Sequence, residues 1–182
     1  GFSFAVASKN WDYVYVAEDG GGLIIVKFVE DVVITTIPQT GGSLLSTDGD
    51  TTLEFPSDAF TEPVVITFSD IGTDAGASNL SGIGHTYTID AVYEDSGEPT
   101  QLDSDQSYTL AISYTDTEVT NAIEHTLAVY YWDETQSAWI QEPTSDLDLE
   151  NNQLTATPDH FSLWTVMGVR VGSRSFLPLV IR

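Results

Sequence analysis

The sequence predicts an all-β fold, an antiparallel β-sandwich with an additional N-terminal β segment. Apolar and polar residues alternate with a period of two along most of the chain, and β-branched and aromatic side chains are abundant in these stretches. Clusters of Gly, Pro, Asp and Asn separate the stretches, as turns separate the strands of a sandwich. No stretch has a helical stripe over three turns, although residues 117–124 could form one or two helical turns.

The predicted strands follow one another between turns rich in Gly, Asp and Asn. The first three are runs of Val, Ile and Tyr around the glycine-rich turn 18–22: residues 13–18, 22–28 and 31–37. The next five alternate Thr and Tyr with apolar residues, with turns at 48–50 and 95–97: residues 51–55, 64–70, 85–93, 107–114 and 125–132. The last three follow the turn 150–152: residues 153–158, 161–169 and 175–181.

The sequence Pro-Gln-Thr-Gly-Gly at 38–42 is the best candidate for a domain boundary. Before it the predicted strands are closely spaced, and after it they are spaced as in a sandwich. We therefore predict an N-terminal β segment at 1–40, a sandwich at 41–168, and a basic, apolar tail at 169–182. The strands within residues 1–37 would form a separate or added sheet.

The chain is strongly acidic, with 28 Asp and Glu against 5 Lys and Arg, a formal charge of −23. Nucleic acid and anionic membrane surfaces bind basic patches, so we expect neither as a partner. No apolar run is long enough to span a membrane, and we expect no membrane insertion. The absence of cysteine excludes disulfides and thiolate sites. The acidic, Thr- and Ser-rich composition favours an extracellular location.

The stretches GGSLLSTDGDTTLEFPSDAFTEPVVITF at 41–68 and LAVYYWDETQSAWIQEPTSDLDLENNQLTATPDHFSLWTV at 127–166 resemble the opening and close of one known domain. That domain is the zona-occludens/Unc-five domain, a β-sandwich found in netrin receptors, ankyrins and many bacterial surface proteins. The resemblance covers residues 41–168 and implies a sandwich that belongs to a bacterial surface protein.

The stretch VASKNWDYVYVAEDGGGLIIVKF at 6–28 is similar to one repeat of bacterial surface propellers. In those proteins a YVYVA-like strand precedes a glycine-rich turn and a strand resembling LVIVD. Here the last strand ends at Lys27 without the usual acidic residue. Because one repeat cannot form a propeller, this segment is either a remnant of a longer protein or a hairpin with another use.

The stretch DHFSLW at 159–164 carries a candidate for chemistry. Two residues apart on a strand, His160 and Ser162 would point to the same face, so the imidazole could accept the hydroxyl proton. The zona-occludens/Unc-five resemblance implies self-cleavage between Phe161 and Ser162, since some members cleave themselves at such a bond. The alternative is structural: a buried Phe between a His and a Ser is ordinary at the start of a core strand.

Paired acids at turns are candidates for calcium binding, Asp48 and Asp50 first among them. Two further acid pairs have the same spacing: Asp103 with Asp105, and Asp146 with Asp148. None of them matches the twelve-residue calcium loop, and solvated turn acids are the alternative. We expect no cofactor other than calcium.

His85 and His125 each open a predicted strand, and we interpret them as surface residues or residues with nearby partners rather than as zinc ligands. The sequence contains no phosphate-binding loop, GxSxG elbow or HExxH motif. We therefore do not expect the chain to be an enzyme with repeated turnover.

Two apolar segments near the chain ends could join copies of the protein by strand pairing. They run from Phe2 to Ala7 and from Ser175 to Ile181, and Arg170, Arg174 and Arg182 flank the second. The sequence as a whole predicts a structural or adhesion module of a bacterial cell surface that assembles with itself. The alternative function is that of a calcium- or glycan-binding sandwich.

Overall fold

The structure, a computed structural model, describes residues 4–6, 13–17, 23–27, 31–72 and 75–172. The chain divides into two compact units, Gly1–Asp31 and Val32–Arg182. In the first unit an antiparallel sheet has the strand order β1 (Phe4–Val6), β2 (Tyr13–Ala17), β3 (Leu23–Lys27). The predicted exchange segment 2–7 thus contributes β1 to a pair with β2 of the same chain. Residues 175–181, the other predicted exchange segment, lie outside the described residues.

The predicted boundary at residue 40 requires a correction, because the strand β4 (Val32–Ile37) belongs to the second unit. It pairs along its whole length with β7 (Val64–Asp70), from Val32 opposite Ser69 to Ile37 opposite Val64. This register places Ile37 in the main core, 1% exposed. The division therefore falls between Asp31 and Val32.

The Pro-Gln-Thr-Gly-Gly sequence that suggested the boundary forms a tight turn between the two sheets of the sandwich. The Gly41 amide donates to the Pro38 carbonyl oxygen at 2.9 Å. Gly41 has a φ of +80°, and a Cβ there would lie 2.5 Å from the Phe55 carbonyl oxygen. Glycine is required at this position both for its backbone conformation and for the close approach.

The second unit is a sandwich of two antiparallel sheets, as the sequence predicted. The larger sheet has the order β12-β11-β15-β9-β7-β4 with β8 paired to β9, and the smaller has the order β13-β14-β10-β6-β5. The remaining strands are β5 (Gly42–Leu45), β6 (Thr51–Phe55), β8 (Gly76–Ala77), β9 (Leu80–Tyr93), β10 (Thr109–Ser113), β11 (Ala128–Asp133), β12 (Ala138–Gln141), β13 (Asp146–Asp148), β14 (Gln153–Ala156) and β15 (Leu163–Val169). One 3₁₀ turn spans Glu124–Thr126.

The core lies between the sheets, where alternate side chains of each strand point inward. Ile66 and Phe68 of the larger sheet and Leu110 and Ile112 of the smaller are at most 1% exposed and belong to one cluster. Each such side chain contributes about 1.5–3 kcal/mol by burial. Among the described residues, no helix is long and apolar enough to cross a bilayer.

Candidate functional site

At one end of the larger sheet, both neighbours of β15 extend beyond the point where β15 begins. It begins at Leu163, which pairs with Thr88, whereas β9 continues to Tyr93 and β11 continues to Asp133. The gap is a cavity of about 480 Å³, which we call the notch. It is lined by Thr88, Ile89, Asp90, Ala91, Pro99, Thr100, Gln101, Tyr131, Trp132, Asp133, Glu134, His160, Phe161, Ser162 and Leu163.

Beyond the start of β15, residues 98–100 lie beside β9 in its place. We call them the returning segment. The chain turns after β9, and the Tyr93 amide donates to the Glu98 carbonyl oxygen at 3.0 Å. The Thr100 amide donates to the Ala91 carbonyl oxygen at 3.0 Å. The next residue, Gln101, leaves the sheet and accepts a hydrogen bond from the Phe161 amide through its Oε1, at 2.8 Å. One side chain thus joins the end of this segment to the stretch that leads into β15.

Phe161 anchors that stretch in the core. Its side chain is 8% exposed. Its ring centroid lies 5.4 Å from that of Tyr108 and 6.3 Å from those of Phe55 and Phe60. These aromatic contacts hold the predicted scissile residue as part of the sandwich interior.

Ser162 is bonded on both its side chain and its main chain. Its hydroxyl donates to the Trp132 carbonyl oxygen of β11 at 3.2 Å. Its carbonyl oxygen accepts from the Ile89 amide of β9 at 3.2 Å. Ser162 therefore bridges β9 and β11 at the point where β15 begins.

His160 lies at the edge of the notch and packs on two aromatic rings. Its ring is edge-on to Tyr131, with centroids 4.7 Å apart, and 5.1 Å from the ring of Trp164. Its Nδ1 lies 3.0 Å from Oδ1 of Asp159. The side chain is 34% exposed.

The predicted pairing of His160 with Ser162 does not occur in this conformation. Within residues 75–172 no hydrogen bond joins the two side chains, because each is bonded elsewhere. The prediction assumed that both residues lie on a strand, but β15 starts only at Leu163. Alternation of side chains therefore does not govern residues 160–162. Self-cleavage at Phe161–Ser162 stays a prediction.

Asp133 places a hydrogen-bonded carboxylate at the notch. Its Oδ1 accepts from the amides of Thr135 and Gln136, and its Oδ2 accepts from Nε2 of Gln136 at 2.7 Å. The hydrogen bonds from the backbone and side chain of Gln136 lower the pKa of Asp133 below its usual 3.8. Because both oxygens are held, this carboxylate stays charged and in place.

The calcium candidates Asp48 and Asp50 lie in the turn between β5 and β6. The Ser46 hydroxyl contacts Oδ1 of Asp48 at 2.6 Å and Oδ1 of Asp50 at 3.2 Å. Burial raises the pKa of Asp50. Burial also acts to raise the pKa of Asp48. Hydrogen bonds, above all the one from Ser46, outweigh this effect, so the pKa of Asp48 is lowered overall. In the parts of the chain that the structure describes, no three His, Cys, Asp or Glu side chains are placed to hold a metal ion.

His85 lies within β9 and is 4% exposed, whereas the sequence placed it at the start of a strand. Its Nδ1 is 2.6 Å from the Tyr87 hydroxyl, which is 2.7 Å from the Thr51 hydroxyl of β6. The same Nδ1 is 3.5 Å from Oδ2 of Asp50, and Nε2 is 3.6 Å from Oε2 of Glu118. Both distances are longer than those of good hydrogen bonds. The cluster joins the larger sheet to the smaller one.

Sequence reasoning missed most of the residues that line the notch. Thr88, Asp90 and Gln101 belong to no motif, and Gln101 bonds with a residue 60 positions away. Of the lining, residues 131–133 lie in the stretch that resembles the close of the zona-occludens/Unc-five domain, and residues 160–162 are the candidate cleavage site. The sole available signal was the turn at 95–97, which predicts that the chain returns beside β9.

A scan of the chain against models of protein families found no match, and a search of curated proteins found no relative.

Proposed function

We propose that this chain is a non-enzymatic structural or adhesion module of a bacterial cell surface. The proposal rests on the contacts that the predicted cleavage residues make in the sandwich. Phe161 is buried among aromatic rings, the Ser162 hydroxyl is bonded to the Trp132 carbonyl oxygen, and His160 packs on Trp164. All three residues fasten the start of β15, so the motif serves the sandwich as a structural clamp.

The composition supports an extracellular role for the module. A charge of −23 keeps a protein soluble and opposes unspecific association with other acidic surfaces. The absence of cysteine makes the fold independent of the redox conditions around it. The resemblance of residues 41–168 to the zona-occludens/Unc-five domain of surface proteins supports the same location.

We further propose that copies of the module assemble by strand pairing. Acidic bodies repel one another, so contact between copies needs a directional interaction such as backbone pairing at a sheet edge. The segment 175–181 is apolar and flanked by arginines, which suits it to an acidic neighbour. A head-to-tail contact that does not close produces a filament.

Light scattering tests the assembly proposal. We expect the complete chain to form oligomers whose mass rises with concentration, and the chain without residues 175–182 to be a folded monomer. Added salt should weaken the arginine attraction while leaving strand pairing largely intact. A complete chain that stays monomeric at high concentration contradicts the proposal.

Glycan binding is a second candidate function, favoured by the notch. The cavity of about 480 Å³ combines aromatic side chains with hydroxyl, amide and carboxylate groups, as small-molecule sites do. We expect immobilised glycans to retain the protein and the Trp132→Ala variant to lose this retention. Ile34→Ala, a change on β4 at a side chain that is 65% exposed, serves as the control. Retention that survives Trp132→Ala contradicts a site at the notch.

A further inference from the structure

We infer that the notch binds an amino sugar, a sugar ring that carries a protonated amine. This inference rests on the proposed glycan-binding function and specifies the ligand of that site. It follows from the charge, the aromatic surface, the free hydrogen-bonding groups and the size of the cavity.

The charge of the lining selects a cation. Three carboxylates line the notch, those of Asp90, Asp133 and Glu134, beside the imidazole of His160, and none of the described lining residues is Lys or Arg. Asp133 is fixed in its charged form by its turn. In the described part of the chain, the carboxylates of Asp90 and Glu134 accept no hydrogen bond, and both residues are exposed. Their charges remain available to a ligand, which must supply the positive partner.

Trp132 provides an aromatic surface beside these charges. It is partly buried, and its ring lies against Trp139 with centroids 5.4 Å apart and planes at 71°. The cross-strand pairing of Trp132 with Trp139 holds the two rings together. A fixed indole favours both the apolar face of a sugar ring and a nearby ammonium group.

The hydroxyl and amide groups of the lining favour a sugar over a simple amine as the ligand. Because Oε1 of Gln101 accepts from the Phe161 amide, its Nε2 is left with two donors. Thr88, on the strand β9, adds a hydroxyl to the lining. A simple aliphatic amine would leave these groups without partners, whereas sugar hydroxyls can pair with them.

The volume of the notch fits this ligand. Its size of about 480 Å³ lies within the range of about 300–1,000 Å³ that is common for small-molecule sites. Two of its lining residues, Asp90 and Glu134, are exposed, so the notch lies at the surface, where a longer sugar chain can reach it.

Calorimetric titration with three trisaccharides tests the inference: the glucosamine trimer, the N-acetylglucosamine trimer and the galacturonic acid trimer. At about pH 6, where amines are protonated, we expect the glucosamine trimer to bind at least about tenfold more tightly than the N-acetylated trimer. The galacturonic acid trimer should not bind. The double variant Asp90→Asn with Glu134→Gln should weaken glucosamine binding by about tenfold or more.

A matched control separates the notch from the general charge of the protein. Glu54→Gln with Glu150→Gln removes the same number of charges at exposed positions outside the notch. This variant should bind the glucosamine trimer as the wild type does, and an equal loss in both double variants overturns the inference. Equal binding of the glucosamine and N-acetylated trimers also overturns it, while glycan binding as such survives. Binding of none of the three contradicts both proposals.

Discussion

The backbone amide of Phe161 donates a hydrogen bond to Oε1 of Gln101 at 2.8 Å, although the two residues are 60 positions apart. This bond joins the segment that returns beside β9 to the stretch that leads into β15. The same stretch carries the predicted cleavage site and borders the notch. The side chain of Gln101 therefore helps to position both candidate sites.

Removing that side chain should loosen the start of β15. Gln101→Ala leaves the Phe161 amide without its partner, and we expect the free energy of unfolding to fall by about 0.5–1.5 kcal/mol. Urea denaturation measures the change. Gln141→Ala, at an exposed position of β12, is the control and should have almost no effect. Equal losses in the two variants would show that the bond to Phe161 is not responsible.

The clamp should depend most strongly on the Phe161 ring. Phe161→Ala removes a buried side chain that contacts the rings of Tyr108 and Phe55, and we expect a loss of about 3–5 kcal/mol. Leu149→Ala, at a side chain that is 47% exposed, should change stability by less than about 0.5 kcal/mol. Chemical denaturation of both variants provides the comparison. A loss below about 1 kcal/mol for Phe161→Ala would remove the basis for a structural clamp.

The sequence predicted the fold class well because alternation and turn residues are local signals. Most strands of the sandwich lie within a few residues of their predicted positions. The sequence did not predict that β4 belongs to the sandwich. Its pairing with β7 is a tertiary contact, which the residues of β4 alone do not encode. The late start of β15 was missed for a similar reason: the Phe161 amide is bonded to the distant side chain of Gln101, and Ser162 keeps one main-chain bond to β9. The notch could not be predicted, because it arises where β15 begins short of the ends of its two neighbours.

The tight turn between β13 and β14 should make stability depend on pH. Hydrogen bonds from the side chain and backbone of Asn151 lower the pKa of Asp148 below its usual 3.8. A lowered pKa contributes stability above the unfolded value of about 3.8, and this contribution is lost as the pH falls through the folded pKa. We expect Asp148→Ala to lower the melting temperature at about pH 7 and to differ less from the wild type at about pH 2.

Asp146→Ala is the matched control for that experiment. Asp146 is an exposed residue of the same strand, and within the described residues its side chain makes no hydrogen bond. Its variant should melt close to the wild type at both pH values. A difference between Asp148→Ala and the wild type that does not shrink in acid would show that the carboxylate charge is not the cause.

Calcium binding at Asp48 and Asp50 is tested by thermal melting. We expect calcium at about 5 mM, above the dissociation constants of about 10⁻⁴–10⁻³ M of extracellular modules, to leave the melting temperature unchanged. The reason is that Oδ1 of each carboxylate already contacts the Ser46 hydroxyl. A clear rise that Asp48→Asn with Asp50→Asn abolishes would establish the calcium-binding alternative instead.

The central claim is that residues 160–162 are a structural clamp of a non-enzymatic module. Intact-mass spectrometry tests it most directly, on protein held at neutral pH for several days and then denatured, with Ser162→Ala measured beside it. We expect a single species of 19.8 kDa for the wild type throughout. A fragment that begins at Ser162, grows with time and is absent from Ser162→Ala would contradict the claim and establish self-cleavage.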